Sequence, residues 1–169
     1  MWLPTLGFFF GFVAFDRTGC LEIIRAVLWI IAIPIIRYKY SDRPHISTAE
    51  LRDLIFRSRG ELLIIDTRTK EEYSISHLKG AVHIDDFPHV ITKRKIDPQS
   101  QIVAYSAIGA NSAKFAREAV ENGYPNVINY LGSIFEWVNY GFPVVDAQER
   151  KTVYIHCSRY IFLPFLRLF

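Results

Sequence analysis

Between residues 45 and 146, short apolar runs alternate with stretches carrying helix-start and helix-stop signals. This alternation restricts the fold more than any other feature of the chain. Leu62-Leu63-Ile64-Ile65-Asp66 is an apolar run ending in a carboxylate, as a strand buried on both faces does. Residues 81–84, 102–105 and 127–130 read the same way, and His45-Ile46 reads as a short fifth strand. Ser47-Thr48-Ala49-Glu50 is a capping box that opens a helix toward Arg57. Residues 113–122 place Ala116, Ala119 and Val120 on one helical face, with Gly123 where a helix end favours a left-handed residue. Ser133-Ile134-Phe135-Glu136 reads as a second capping box, closed by Gly141. The pattern predicts an α/β domain with a central parallel sheet of about five strands flanked by helices, with sites at the carboxyl ends of the strands.

Composition narrows the function classes. The 169 residues are 50% hydrophobic and 22% charged, enough for one packed domain and incompatible with disorder. The net charge is +3 with acidic and basic residues interleaved, so no nucleic-acid partner is expected. The short run Lys93-Arg94-Lys95 reads as a solvated face or as a contact for an anionic membrane surface. Two cysteines, Cys20 and Cys157, lie far apart, which excludes a disulfide scaffold and a cysteine zinc centre; no metal or cofactor is expected.

The ends differ from the middle. Residues 1–40 form a hydrophobic N-terminal segment in which Asp16, Arg17, Glu22 and Arg25 are the only charges before Arg37. Its uninterrupted runs, 1–15 and 26–36, are shorter than the roughly 20 apolar residues that cross a bilayer. The segment reads either as a membrane anchor or as helices packed on the domain. Arg37, Lys39 and Arg43 follow the second run and favour the cytoplasmic side, so membrane association with the domain facing the cytoplasm is expected. Deletion of residues 1–40 is expected to leave a folded domain, because the first capping box begins at Ser47. Residues 147–169 form an apolar C-terminal tail.

The third strand runs into Tyr105-Ser106-Ala107-Ile108-Gly109-Ala110-Asn111-Ser112, a loop of small residues before a helix. Such a loop can aim backbone N–H groups and a helix N-terminus at one point, making an anion cradle of residues 106–111. It can equally be a tight turn that suits small residues.

Residues 45–146 resemble a single-domain rhodanese, a sulfurtransferase-like module. Ile65-Asp66-Thr67-Arg68 resembles the family's D-x-R motif. Residues 72–81, Glu-Tyr-Ser-Ile-Ser-His-Leu-Lys-Gly-Ala, resemble its E-[FY]-x-x-G-H-I-x-G-A signature, with Ser76 where glycine is usual. Gly132 to Trp137 with Gly141-Phe142-Pro143-Val144 resembles its closing motif. The resemblance implies a loop cysteine whose thiolate takes sulfane sulfur from a donor such as thiosulfate and passes it on as a persulfide. It also implies a loop arginine that holds the anionic donor. Here Ser106 stands in the cysteine place and Asn111 in the arginine place, while Gly109 is kept. A serine cannot form a persulfide. The resemblance therefore implies a catalytically inactive domain acting as a binding or regulatory module, its loop open to a small anion or a protein partner. Asp66 and Arg68 are expected to pair and brace the loop.

Three other chemistries have candidate residues in the chain. Ser106 as a hydrolase nucleophile needs a base, and His77, His83 and His89 are candidates by type alone. His156-Cys157 begins like a phosphatase loop, but Leu163 stands where that loop needs arginine. Cys157 is the candidate substitute thiol for an active sulfurtransferase, against the plainer reading of a cysteine beside an apolar tail.

Overall fold

The computed structural model describes residues 20–58, 62–152, 154–156 and 165–166. Five strands are present in one sheet: β1 (His45–Ile46), β2 (Leu63–Asp66), β3 (Val82–His83), β4 (Ile102–Tyr105) and β5 (Val127–Tyr130). They lie in the order β1-β5-β4-β2-β3, every neighbouring pair parallel. The helices are α1 (Cys20–Lys39), α2 (Thr48–Ser58), α3 (Lys70–Ile75), α4 (Phe87–Arg94), α5 (Ala110–Glu121) and α6 (Ser133–Asn139). A small antiparallel pair, β6 (Val144–Val145) and β7 (Lys151–Thr152), joins the domain through a bridge from Val145 to His77.

The central strands bury both faces, and alternate residues sort into two cores. Ile64, Val103, Tyr105 and Tyr130 face α2 and α6, with Leu51, Ile134 and Phe135. Leu63, Ile65, Ile102, Ala104 and Val127 face α4 and α5, with Phe87, Ala116 and Ala119. The first capping box forms: the backbone N–H and hydroxyl of Ser47 both donate to Glu50 Oε2, at 2.7 Å each.

The second expected capping box does not form. Gly132 is the N-cap of α6 and offers no side chain. Ser133 has φ of 58° and turns its hydroxyl inward, donating to the Tyr130 carbonyl at 2.8 Å. Glu136 accepts instead from the Thr48 hydroxyl on α2. Helices α3 and α4 carry weaker signals. In α3 the capping box is Thr69 with Glu72, inside a stretch that otherwise reads as a motif. In α4 a proline in the first turn precedes a basic end, and Lys95 closes the helix in the left-handed region at φ 50°.

Helix α1 lies against the domain. Leu28, Trp29 and Ala32 pack on the α2–α6 core, and Ile36 and Tyr40 are buried beside Ala113 and Leu131. Trp29 meets Phe165 edge-on at 5.0 Å, and Arg25 Nε donates to the Leu166 carbonyl at 3.0 Å. At its far end, Arg117 of α5 donates to the Lys39 carbonyl at 2.8 Å and sits over the Tyr40 ring at 4.6 Å. Among the described residues no helix is long and apolar enough to cross a membrane. In α1 the charges Glu22, Arg25, Arg37 and Lys39 interrupt the apolar sequence. The apolar run 1–15 and Cys157 lie outside the described residues.

Candidate functional site

The loop from Ser106 to Gly109 leaves the carboxyl end of β4 and enters α5 at Ala110. Residues 110 and 111, expected in the loop, form the first turn of the helix. Gly109 has φ of 98°, and a Cβ there would stand 3.3 Å from the Tyr130 carbonyl oxygen. Only glycine lets the loop pass this close to the end of β5. The start of α6 clamps the loop from below: Ile134 N–H donates to the Ser106 carbonyl and Phe135 N–H to the Ala107 carbonyl, both at 3.2 Å.

Ser106 is 2% exposed. Its backbone N–H donates to Ser133 Oγ at 3.0 Å, and its hydroxyl oxygen accepts the Gly109 N–H at 2.9 Å. Ser112 Oγ lies 3.4 Å from the Ser106 hydroxyl and donates to Asn129 Oδ1 at 2.7 Å. Asn129 Nδ2 in turn donates to His45 Nδ1 at 3.0 Å, which leaves His45 Nε2–H to donate to the Tyr40 carbonyl at 3.1 Å. Donors and acceptors alternate along this chain only if His45 is neutral with its proton on Nε2. Burial depresses the His45 pKa, the Tyr40 carbonyl opposes that, and Arg37 adds to it. The N–H groups of Ser106 and Gly109, expected to line an anion cradle, are thus spent on partners within the domain.

Asp66 and Arg68 do pair, fully buried, at the end of β2. Arg68 Nη2 stands 2.7 Å from Asp66 Oδ2, and the Arg68 backbone N–H donates to Asp66 Oδ1 at 3.0 Å. Arg68 Nη2 also donates to the Ser76 carbonyl. Tyr105 completes the network: its hydroxyl donates to Asp66 Oδ2 at 2.6 Å and accepts the Leu78 N–H at 3.1 Å. Burial disfavours the charge of Arg68, but Asp66, Tyr105 and Glu72 together outweigh it and hold the guanidinium above its usual range. Burial, reinforced by Asp66, pushes the Tyr105 phenol well up. The ion pair therefore anchors the residue directly before Ser106 to the turn at 76–78.

The cover over the loop is the feature the sequence did not announce. Ile108 and Ala110 pack with Ile33, Ile36 and Tyr40 of the α1 region. The loop therefore meets an apolar helix face. Asn111 alone of the six expected cradle residues is exposed.

The other expectations place as follows. His77 is buried, with Nδ1 2.9 Å from the Tyr73 carbonyl and its ring stacked on Tyr73 at 4.0 Å. His83 Nε2 is 3.0 Å from the Arg68 carbonyl, and His89 is exposed on α4. Among the described residues the side chains within hydrogen-bond distance of Ser106 are those of Ser112 and Ser133, not a base. Ser112, Asn129, His45 and Ser133 escaped sequence reasoning because they come from four separate elements.

Comparison with known proteins agrees with this geometry. Residues 47–140 match the sequence model of the family described as Rhodanese-like domain. A thiosulfate:glutathione sulfurtransferase of Saccharomyces cerevisiae is 23% identical over 113 residues, covering 59% of this chain and 81% of its own. The thiosulfate sulfurtransferase GlpE of Haemophilus influenzae is 28% identical over 85 residues, covering 50% of this chain and 81% of its own. Among solved structures, the polysulfide-sulfur transferase homodimer of Wolinella succinogenes superposes with a TM-score of 0.54 at 18% identity. It covers 75% of this chain and 91% of that one, a likeness of fold.

Proposed function

This chain belongs to the rhodanese-like domain family, and from that premise we propose that it is a catalytically inactive, membrane-associated binding or regulatory module. Support comes from Ser106. It occupies the position that the resemblance assigns to the nucleophilic thiol, and its hydroxyl is buried in a closed set of hydrogen bonds. An alcohol is far less acidic than a thiol and has no persulfide chemistry, so sulfur cannot be stored there. Asn111 brings no charge to hold an anionic donor, and α1 lies across the loop. What the loop still offers a protein partner or a small anion is Asn111, its exposed residue, so the domain docks there rather than turning over substrate. Attachment to the membrane, with the domain on the cytoplasmic side, falls to the apolar residues before Arg37 and to the basic residues Arg37, Lys39 and Arg43.

A second proposal has its own support in the sulfurtransferase relatives: transfer of sulfane sulfur through another thiol, with Cys157 as candidate. Purified full chain is mixed with thiosulfate and cyanide, and thiocyanate is followed against an authentic rhodanese. No turnover is expected. Turnover that survives Cys157→Ala overturns inactivity at the loop, and turnover that disappears with Cys157→Ala establishes the substitute thiol.

A further inference from the structure

Helix α1 has two apolar faces, and the domain covers one. The inner face holds Leu28, Trp29, Ala32, Ile33 and Ile36. On the other side Ile30 is 70% exposed, Ile23 65%, Ile35 58% and Ile31 52%, with Ile24 and Val27 also exposed. At 100° per residue these positions fall in one stripe roughly 140° wide, centred opposite the packed face. An uncovered stripe of six large aliphatic side chains is more than a water-exposed helix tolerates without a partner.

We propose that this stripe is the membrane-contacting surface of the protein, with α1 lying in the plane of an anionic bilayer. The inference rests on the membrane-associated reading above and names the residues that make the contact. Three observations choose lipid as the occupant. Arg37 and Lys39 are exposed and flank the stripe on opposite sides, where a cation at headgroup level belongs. Tyr38, 87% exposed, closes the stripe at its C-terminal end, the position of an interfacial aromatic. The stripe also lies close in sequence to the apolar segment 1–15, with the seven residues Asp16 to Glu22 between them. The orientation is in-plane because α1 is not long and apolar enough to span, and because its inner face is already held by the domain. Pro34 has no N–H to donate to the Ile30 carbonyl one turn back, a gap in the helix ladder that hydrated headgroups accommodate better than hydrocarbon does. In this arrangement α1 separates the Ser106 loop from the bilayer.

The test uses full chain with Cys20→Ser and Cys157→Ser, carrying Ile30→Cys labelled with an environment-sensitive fluorophore. It is mixed with vesicles of phosphatidylcholine containing about a third phosphatidylserine. Co-sedimentation, a blue shift, and quenching by lipids spin-labelled near the headgroup more than by lipids labelled deep in the chain are expected. The unlabelled variant Ile30→Asp, Ile31→Asp is expected to partition at least about tenfold more weakly, with its far-ultraviolet dichroism unchanged. Co-sedimentation with an unquenched label at position 30 overturns the stripe while leaving membrane attachment to residues 1–19. Failure of the full chain to co-sediment overturns both. A blue shift in the absence of lipid that grows with protein concentration assigns the stripe to a second copy of the chain and overturns the lipid proposal.

Discussion

At Ser106 the hydroxyl oxygen accepts the Gly109 N–H, the same donor a thiolate in that place would use. Ser106→Cys therefore restores a nucleophile to a loop whose backbone geometry suits it, while Asn111 still leaves an anionic donor unheld. Little thiocyanate formation is expected from the single variant. Ser106→Cys with Asn111→Arg is expected to be at least about tenfold faster, because positioning the donor removes part of the barrier. Persulfide detected by mass in the double variant and not in the single one is the accompanying signature. A second prediction belongs to His45, whose folded pKa lies below its ordinary value chiefly because of burial. The unfolded chain then binds the proton more readily. The stability that His45 contributes is present above its unfolded pKa and is lost as pH falls through the folded one. Denaturant midpoints measured from pH 8 down to pH 5 are expected to decline, and to decline less steeply in His45→Gln. Of this neighbourhood, Ser106, Gly109, Asp66 and Arg68 were legible because each sits inside a contiguous motif. The Ser112–Asn129–His45 chain was not, since no pattern in sequence joins residues from α5, β5 and β1.

Helix α6 shows how an element can be located correctly and its first residue misread. The Ser-x-x-Glu spacing at 133–136 predicts a capping box, yet the Ser133 hydroxyl faces the interior and accepts the Ser106 N–H. Local capping loses here to a tertiary demand: a buried N–H at the mouth of the loop must be paired. Ser133→Ala removes that partner without disturbing the helix spacing. A loss of about 1–3 kcal/mol is expected, the cost of leaving one buried donor unmade, read from chemical denaturation. The change should also loosen the loop, visible as faster amide exchange at Ser106 and Gly109. Helix α1 presents the opposite case. Its apolar sequence was plain, but apolarity alone does not say which of two faces meets protein and which meets something else.

For the whole molecule, the sheet order and the two cores follow from strand spacing, while the place of the N-terminal segment does not. A capping box at Ser47 predicts a domain that begins there, so removal of residues 1–40 should cost little. The packing argues otherwise. Ile36 and Tyr40 are buried with Ala113 and Leu131, Ile33 packs against the same cluster, and Trp29 meets Phe165 edge-on. Burial of each large side chain is worth roughly 1.5–3 kcal/mol. Stripping several of them removes a substantial part of the roughly 5–15 kcal/mol that holds a domain of this size together. Two truncations separate the contributions of the segment. The chain lacking residues 1–19 keeps all of α1 and is expected to melt close to the full chain. The chain lacking residues 1–40 is expected to melt at least several degrees lower and to aggregate through the uncovered Ile108 and Leu131. Equal melting temperatures for the two truncations would show that α1 adds nothing to the domain. The helix would then be free to leave the Ser106 loop whenever its outer face finds a better partner.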